Sequence, residues 1–368
     1  MVPLARAFRD GGDQVAWATG IAVCADLAEE GFEAMPAGLD AERSRREFLD
    51  RFPEYGSLSP AEGPAFMFSR LFGTVRTPRM LDDLLGIVRD WRPDLIVHDA
   101  AEFAAPIAAA VADVPCVTHS YGALTLAERV EEASREVAYL WEANGLEPRP
   151  YAGNYEYLYL DIYPETLRSG ARDQVRLGQP LRPEGFALAG SELLPSWAAA
   201  VASAPLVYVT LGTVFNQNLT VFQNVIAGLT DLPVRLLVTV GPAGDPAALG
   251  PQPPNVHVAR YIRQSDVLPS CAAVVSHAGS GTFLAALAAG LPQLCLPQAA
   301  DQFGNASACS HAGAGLQLQP DQITAPNVRN AARQLFSDDA FGKSARRVAN
   351  EIAHMPTPET VANNIRNL

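Results

Sequence analysis

Apolar, β-branched runs that end in small or polar residues recur along the chain: Gln14 to Ala18, Leu95 to His98, Cys116 to Thr118, Leu206 to Leu211, Val234 to Val240, Ala273 to Ser276 and Gln293 to Leu296. Unbroken apolarity, rather than alternation, is the pattern of strands buried on both faces of a parallel sheet. Helical spacing intervenes, with Leu81, Leu84, Leu85, Val88 and Trp91 on one face, then Val221, Val225 and Leu229, then Ala345, Val348 and Ile352. Strand and helix in alternation predict βαβ units and an α/β, doubly wound architecture. The stretch from Leu177 to Pro205, rich in Pro, Gly and Ala, separates two such regions and sets an expected boundary near residue 190. The division is then a domain over 1–190, a second over 191–355 and a closing helix over 356–368. That helix begins at His354-Met-Pro-Thr-Pro-Glu359, has Pro358 in its first turn and carries Val361, Ile365 and Leu368 on one face, so it is expected to cross back to the first domain.

The chain opens on a helical pattern, Pro3 to Asp10, closed by Gly11-Gly12. In a doubly wound domain the first strand ordinarily lies mid-sheet, so a central strand is expected to be missing. The plainer explanation is that Met1 is a miscalled or engineered start; the sharper one is a natural variant without that strand. Its loss would leave unpaired backbone groups on both neighbours.

Of the 368 residues 48% are hydrophobic and 18% charged, which suits packed cores and excludes a disordered chain. Lys and Arg number 27 against 40 Asp and Glu, a net charge of −13 that argues against nucleic acid or an anionic membrane as partner. Five cysteines without a C-x-x-C pair or a Cys/His cluster suggest neither a disulfide framework nor a metal site, and a cytoplasmic location is the expectation. The longest apolar stretches, Ala104 to Val117 and Phe283 to Leu296, are interrupted by Asp113, Pro115, Gly290, Pro292 and Gln293, too early for the roughly 20-residue run that spans a bilayer.

Chemistry concentrates in Ala273-Val-Val-Ser-His277-Ala-Gly279-Ser280-Gly281-Thr282, followed by a helical pattern from Phe283 to Ala289. A strand, a Gly-rich turn and a helix N-terminus present free amides and a positive dipole end to an anion such as phosphate. His277, Ser280 and Thr282 add side-chain donors. Alone, the motif fits an ordinary strand-to-helix turn equally well, so its company matters. Thr210-Leu-Gly212-Thr213 closes the first strand of the second domain with another small, hydroxyl-bearing turn. Pro297-Gln-Ala-Ala-Asp301-Gln302 brings a carboxylate and an amide, the pair suited to vicinal sugar hydroxyls. Arg260-Tyr261-Ile262-Arg263-Gln264 offers an aromatic face to a nucleobase, although Tyr261 also reads as a core aromatic. Together these describe a site for a nucleoside diphosphate sugar.

In order and spacing, Thr210–Thr213, Tyr261–Gln264, His277–Thr282, Ala289-Gly-Leu-Pro292 and Asp301-Gln302-Phe-Gly-Asn305-Ala resemble family 1 glycosyltransferases, most of all the actinobacterial enzymes that glycosylate macrolides, enediynes and other natural products. The likeness runs through the second domain; in the first, Arg92-Pro-Asp-Leu-Ile-Val-His-Asp99 is its best anchor. The resemblance implies a two-domain GT-B fold, an inverting reaction, UDP- or dTDP-sugar as donor, no cofactor and no metal. It implies that Gly212 and Thr213, with His277, Gly279, Ser280, Gly281 and Thr282, hold the diphosphate. Tyr261 would stack on the base, Ile262 would read its edge with Gln264 beside it, and Asp301 with Gln302 would grip the sugar.

Two positions depart from the family pattern. Ala285 stands where many relatives carry an acidic residue toward the ribose. The family's base, a histidine in a Gly-His turn ahead of a Pro-Leu helix, has no counterpart, because Val2-Pro3-Leu4 matches that helix and nothing precedes it. Inverting transfer needs a base for the acceptor hydroxyl. Asp99 matches the carboxylate that orients the family's histidine, and His119, after the next strand, is the candidate substitute, while His98 alternates to the other side. A loop or core histidine is the plainer role for His119. Of ten tyrosines, five lie in Tyr151 to Tyr163, and Tyr155, Tyr157 and Tyr159 would share one face of a strand, either an aromatic acceptor wall or a packed sheet face. The expected partners are the donor and a hydrophobic acceptor, with a homodimer compatible. A nucleotide-sugar-binding homologue without transfer chemistry, or a nucleotide-sugar epimerase, would keep the same donor motifs.

Overall fold

Every strand pair in the computed structural model, which describes residues 1–58, 62–185, 192–199, 204–212 and 218–368, is parallel, as the unbroken apolar runs require. The chain divides into one unit of Met1–Ile162, Gly170–Leu181 and Pro356–Leu368 and another of Tyr163–Ser169 and Arg182–Met355. The boundary expected near residue 190 lies outside the described residues.

The first unit contains β1 (Ala16–Thr19), β2 (Glu33–Pro36), β3 (Ile96–Asp99), β4 (Cys116–His119), β5 (Leu158–Asp161) and β6 (Gly178–Pro180). They form two sheets, β1-β2 and β3-β4-β5-β6. One helix, Val2–Asp10, serves both. Its Leu4, Ala7 and Phe8 pack on Val97, Val117, Leu158 and Leu160, while Val2 and Ala5 pack with Trp17, Leu27 and Phe32. The C-terminal helix, Pro358–Arg366, joins the first of these clusters through Val361, Ala362 and Ile365. Its Arg366 donates to the carbonyls of Ala7 and Phe8 and pairs with Asp13 at 2.7 Å.

Among the described residues the outer edges of β1 and β3 have no ladder partner. The cost shows in burial: all four residues of β1 are half-exposed, whereas the strand Leu206–Thr210 of the second unit is buried throughout. The aromatic run also departs from expectation. The strand begins only at Leu158; Tyr155 and Tyr159 are buried edge-to-face in the core, and Tyr157 points outward, so the three share no face.

The second unit has one sheet of β7 (Leu206–Thr210), β8 (Arg235–Thr239), β9 (Val256–Ala259), β10 (Cys271–Ser276), β11 (Gln293–Cys295) and β12 (Gly315–Gln317), ordered β12-β11-β10-β7-β8-β9. Alternate residues of β7 enter opposite cores. Val207 and Val209 pack with Phe222, Leu236, Val275 and Val328, and Leu206 and Tyr208 with Leu237, Ile262, Val274 and Ala286. At about 1.5–3 kcal/mol for each fully buried large aliphatic side chain, these two layers fix the register. The chain runs from β7 to β9 on one side and restarts at β10 on the other. The order therefore reverses between β7 and β10, where α/β sheets open a crevice at the carboxyl ends of their strands.

Candidate functional site

The turns after β7 and β10 meet at this reversal. Thr210 Oγ1 accepts the Gly212 N–H at 3.2 Å, and Ser276 Oγ accepts the Ala278 N–H at 3.1 Å, so each strand's last hydroxyl folds its own turn. Ala278 is left-handed, with φ +62°, a conformation costing an alanine about 1–2 kcal/mol. Strain of that kind persists where surroundings hold it, and here Asn305 Nδ2 donates to the Ala278 carbonyl at 2.9 Å. Gly279 then caps the Ser280–Ala288 helix.

The His277 ring lies between the two turns and explains both glycines. A Cβ on Gly279 would stand 2.4 Å from His277 Nε2, and one on Gly212 would stand 2.6 Å from Cε1. Gly281 differs, since a Cβ there meets nothing within 4 Å. The ring is 8% exposed, and its Nδ1 has no hydrogen-bond partner among the described residues. Burial lowers its pKa to about 4, against an opposing pull from Asp301, so the imidazole is neutral. A buried polar atom left unpaired costs about 1–3 kcal/mol, and an anion beside the ring would raise its pKa.

Asp301 and Asn305 close the turn from the Gln302–His311 helix. Asp301 Oδ2 accepts from Ser280 Oγ at 2.6 Å, from Ser280 N at 3.3 Å and from Asn305 Nδ2 at 3.0 Å. Asn305, fully buried, also donates to Ser280 Oγ and accepts from the Tyr163 hydroxyl at 3.0 Å. Gln302 is buried as well, and its Oε1 accepts the N–H groups of Gln298 and Ala299 at 2.7 and 3.0 Å, pinning the loop that carries left-handed Ala300.

Of the residues singled out in the sequence, Gly212, His277, Gly279, Ser280, Gly281, Thr282, Asp301 and Gln302 gather at these adjoining strand ends and helix starts. Gln264 joins them, donating through Nε2 to Thr282 Oγ1 at 2.8 Å. Tyr261 is half-buried, its carbonyl accepting the Glu192 N–H, and Ile262 is fully buried. Thr213 lies outside the described residues. Asn305 and Tyr163 were not expected.

In the first unit Asp99 and His119 are register partners at the carboxyl ends of β3 and β4. Asp99 Oδ1 accepts the Ala101 N–H at 2.8 Å, and His119 Nδ1 donates to the Ser120 carbonyl at 2.6 Å. Burial raises the pKa of Asp99 and lowers that of His119 to about 3. His98 turns to the opposite face, where Nδ1 donates to the carbonyls of Asp99 and Glu102 and Nε2 lies 2.9 Å from Thr118 Oγ1. Burial pushes Glu102 up to about 7, with the Asp99 charge adding to the rise. Among the described residues no group of His, Cys, Asp and Glu gathers to hold a metal, and no helix is long and apolar enough to cross a membrane.

Comparison with known proteins covers both units. Residues 6–139 match the N-terminal domain, and residues 223–368 the C-terminal domain, of the erythromycin biosynthesis protein CIII-like family. The chain is 35% identical over 294 residues to an elloramycin glycosyltransferase of Streptomyces olivaceus, an alignment covering 77% of this chain and 71% of that protein. Among solved structures it is 28% identical to the glycosyltransferase SnogD from Streptomyces nogalater, with TM-score 0.77, covering 100% of this chain and 94% of that one. A spinosyn rhamnosyltransferase complexed with thymidine diphosphate is 25% identical, with TM-score 0.80 and coverage of 100% and 96%.

Proposed function

The chain belongs to the erythromycin biosynthesis protein CIII-like family of glycosyltransferases, with their GT-B α/β fold, and from that premise we propose that it moves a sugar from a dTDP- or UDP-sugar to a hydroxyl of a hydrophobic natural-product acceptor, inverting the anomeric carbon. One observation carries the donor half of this reading. The turn between β10 and the Ser280–Ala288 helix holds a left-handed alanine and a glycine crowded by a buried imidazole, whose Nδ1 has no partner among the described residues, and it leads into a helix N-terminus. The similar rhamnosyltransferase was solved with thymidine diphosphate, which favours dTDP over UDP.

The diphosphate would take the amides of Ser280, Gly281 and Thr282, with His277 and Thr213 alongside. Tyr261 would stack on the base and Ile262 meet its edge. Asp301 would turn to sugar hydroxyls, while Gln302, its Oε1 engaged by the loop, would offer its Nε2. Departure of the nucleoside diphosphate develops charge on the leaving phosphate; helix amides and His277 are fixed dipoles aimed at it, and no metal enters the reading. On the acceptor side the neutral His119 ring, with Nδ1 occupied as donor, would take the hydroxyl proton at Nε2, and Asp99 would stabilise the cation formed. A ring of such low basicity is a slow base. His119→Ala with unchanged turnover would remove it from the mechanism.

Hydrogen exchange with and without TDP tests the donor site. Protection centred on residues 260–264, 276–283 and 301–305 is the expected result. Binding that protects none of these segments would overturn the assignment.

A further inference from the structure

Asp301 makes two of its contacts with the very groups that the donor diphosphate would need. Its carboxylate takes the hydroxyl and the first amide of the Ser280–Ala288 helix and is steadied by Asn305, itself held by Tyr163. A carboxylate on a helix's first amide is a favourable charge–dipole contact. Beside it sits the second sign of an anion position, the nine-tenths-buried His277 ring with Nδ1 unpartnered among the described residues.

We propose that Asp301 is the resident anion of this turn, exchanged for phosphate when donor binds and returning to Ser280 to weaken the hold on the product. The inference rests on the donor-site reading above. Phosphate and carboxylate repel and share one amide and one hydroxyl, so both cannot keep them. A nucleotide-sugar compensates the displaced carboxylate with sugar hydroxyls to accept from. A nucleoside diphosphate, once its sugar has gone, has none to offer. The carboxylate then competes, and the helix turn that binds donor releases product.

Calorimetric titration of TDP and UDP into the full chain, Asp301→Asn, Ser280→Ala and the double variant tests this. Asp301→Asn is expected to bind the preferred nucleotide about threefold to tenfold more tightly than wild type. That gain should shrink toward unity in the Ser280→Ala background, where the carboxylate has lost its shortest tether. Equal gains in both backgrounds would mean general charge repulsion and overturn the exchange. Weaker or unchanged binding in Asp301→Asn would overturn it too, leaving the donor site itself intact. If neither nucleotide binds wild type, it is the donor-site reading that fails, and the exchange with it.

Discussion

The imidazole of His277 occupies the space that a side chain on Gly279 would enter, with a Cβ there 2.4 Å from Nε2. Gly279 has φ −62° and ψ 141°, angles any residue adopts, so the exclusion is steric and not conformational. Gly279→Ala should therefore lose about 1–3 kcal/mol of stability, and adding His277→Ala should restore most of it. Nucleotide binding, in contrast, should stay lost in the double variant. Denaturant melts of the four proteins measure the first effect and TDP titration the second; a double variant as unstable as Gly279→Ala would disprove the packing argument.

The lowered pKa of His277 makes nucleotide binding a proton-linked event. Free, the ring titrates at about 4; beside a diphosphate its cation is stabilised and the pKa rises. Binding near pH 5.5 should then take up a fraction of a proton, and affinity should fall as pH rises toward 8. TDP-glucose is the suitable probe, because its diphosphate does not itself titrate in this range. Heats in two buffers of different ionisation enthalpy report the uptake, which His277→Gln should abolish.

Glu102 gives the first unit a stability profile that declines toward alkaline pH. Its folded pKa of about 7 lies above the ordinary carboxylate value, so the folded state holds a proton that the unfolded state has released between about pH 4.3 and 7. Stability from the protonated form is complete below the unfolded pKa and is lost as pH rises through 7. Glu102→Gln, whose amide oxygen can still accept the Ala104 N–H, should gain about 1–3 kcal/mol at pH 8 and nothing at pH 4. Thermal melts at the two pH values decide it.

The divided sheet of the first unit makes a residue-level prediction. Ile96 donates to Pro115 and Ala100 to His119, so even-numbered amides face β4 and those of Val97 and Asp99 face the edge that has no ladder partner among the described residues. Val97 should exchange its amide proton on the order of a thousandfold faster than Ile96. Equal protection would mean that the edge is satisfied by something other than a ladder.

Much of this was legible in the sequence where the signal is local. Strand, Gly-rich turn and helix start lie within ten residues around His277, and the same imidazole crowds the glycines at 279 and 212. What the sequence withheld depends on distance. Tyr163 meets Asn305 across 142 residues of chain, and no periodicity announces such a pair. Asn305 alone had a clue, standing four residues after Asp301 and so on its face of the helix. The tyrosine run misled because alternation in sequence only means one face if the backbone is extended, and the strand starts at Leu158, after two of the three. The role of Gln302 as clamp of its own loop was equally hidden, since a side chain reaching back to Gln298 N–H looks no different in sequence from one reaching out to a sugar.

Gly281 offers the most direct test of the central claim that the start of the Ser280–Ala288 helix receives the donor diphosphate. A Cβ at this position meets no protein atom within 4 Å and, as on any helix, tilts toward the N-terminus, into the space assigned to phosphate. Gly281→Ala should leave the fold as stable as wild type or more stable by about 0.5–1 kcal/mol. In a single calorimetric titration with TDP it should bind at least about tenfold more weakly, the loss of roughly one good charged hydrogen bond. Wild-type affinity in this variant would contradict the donor site.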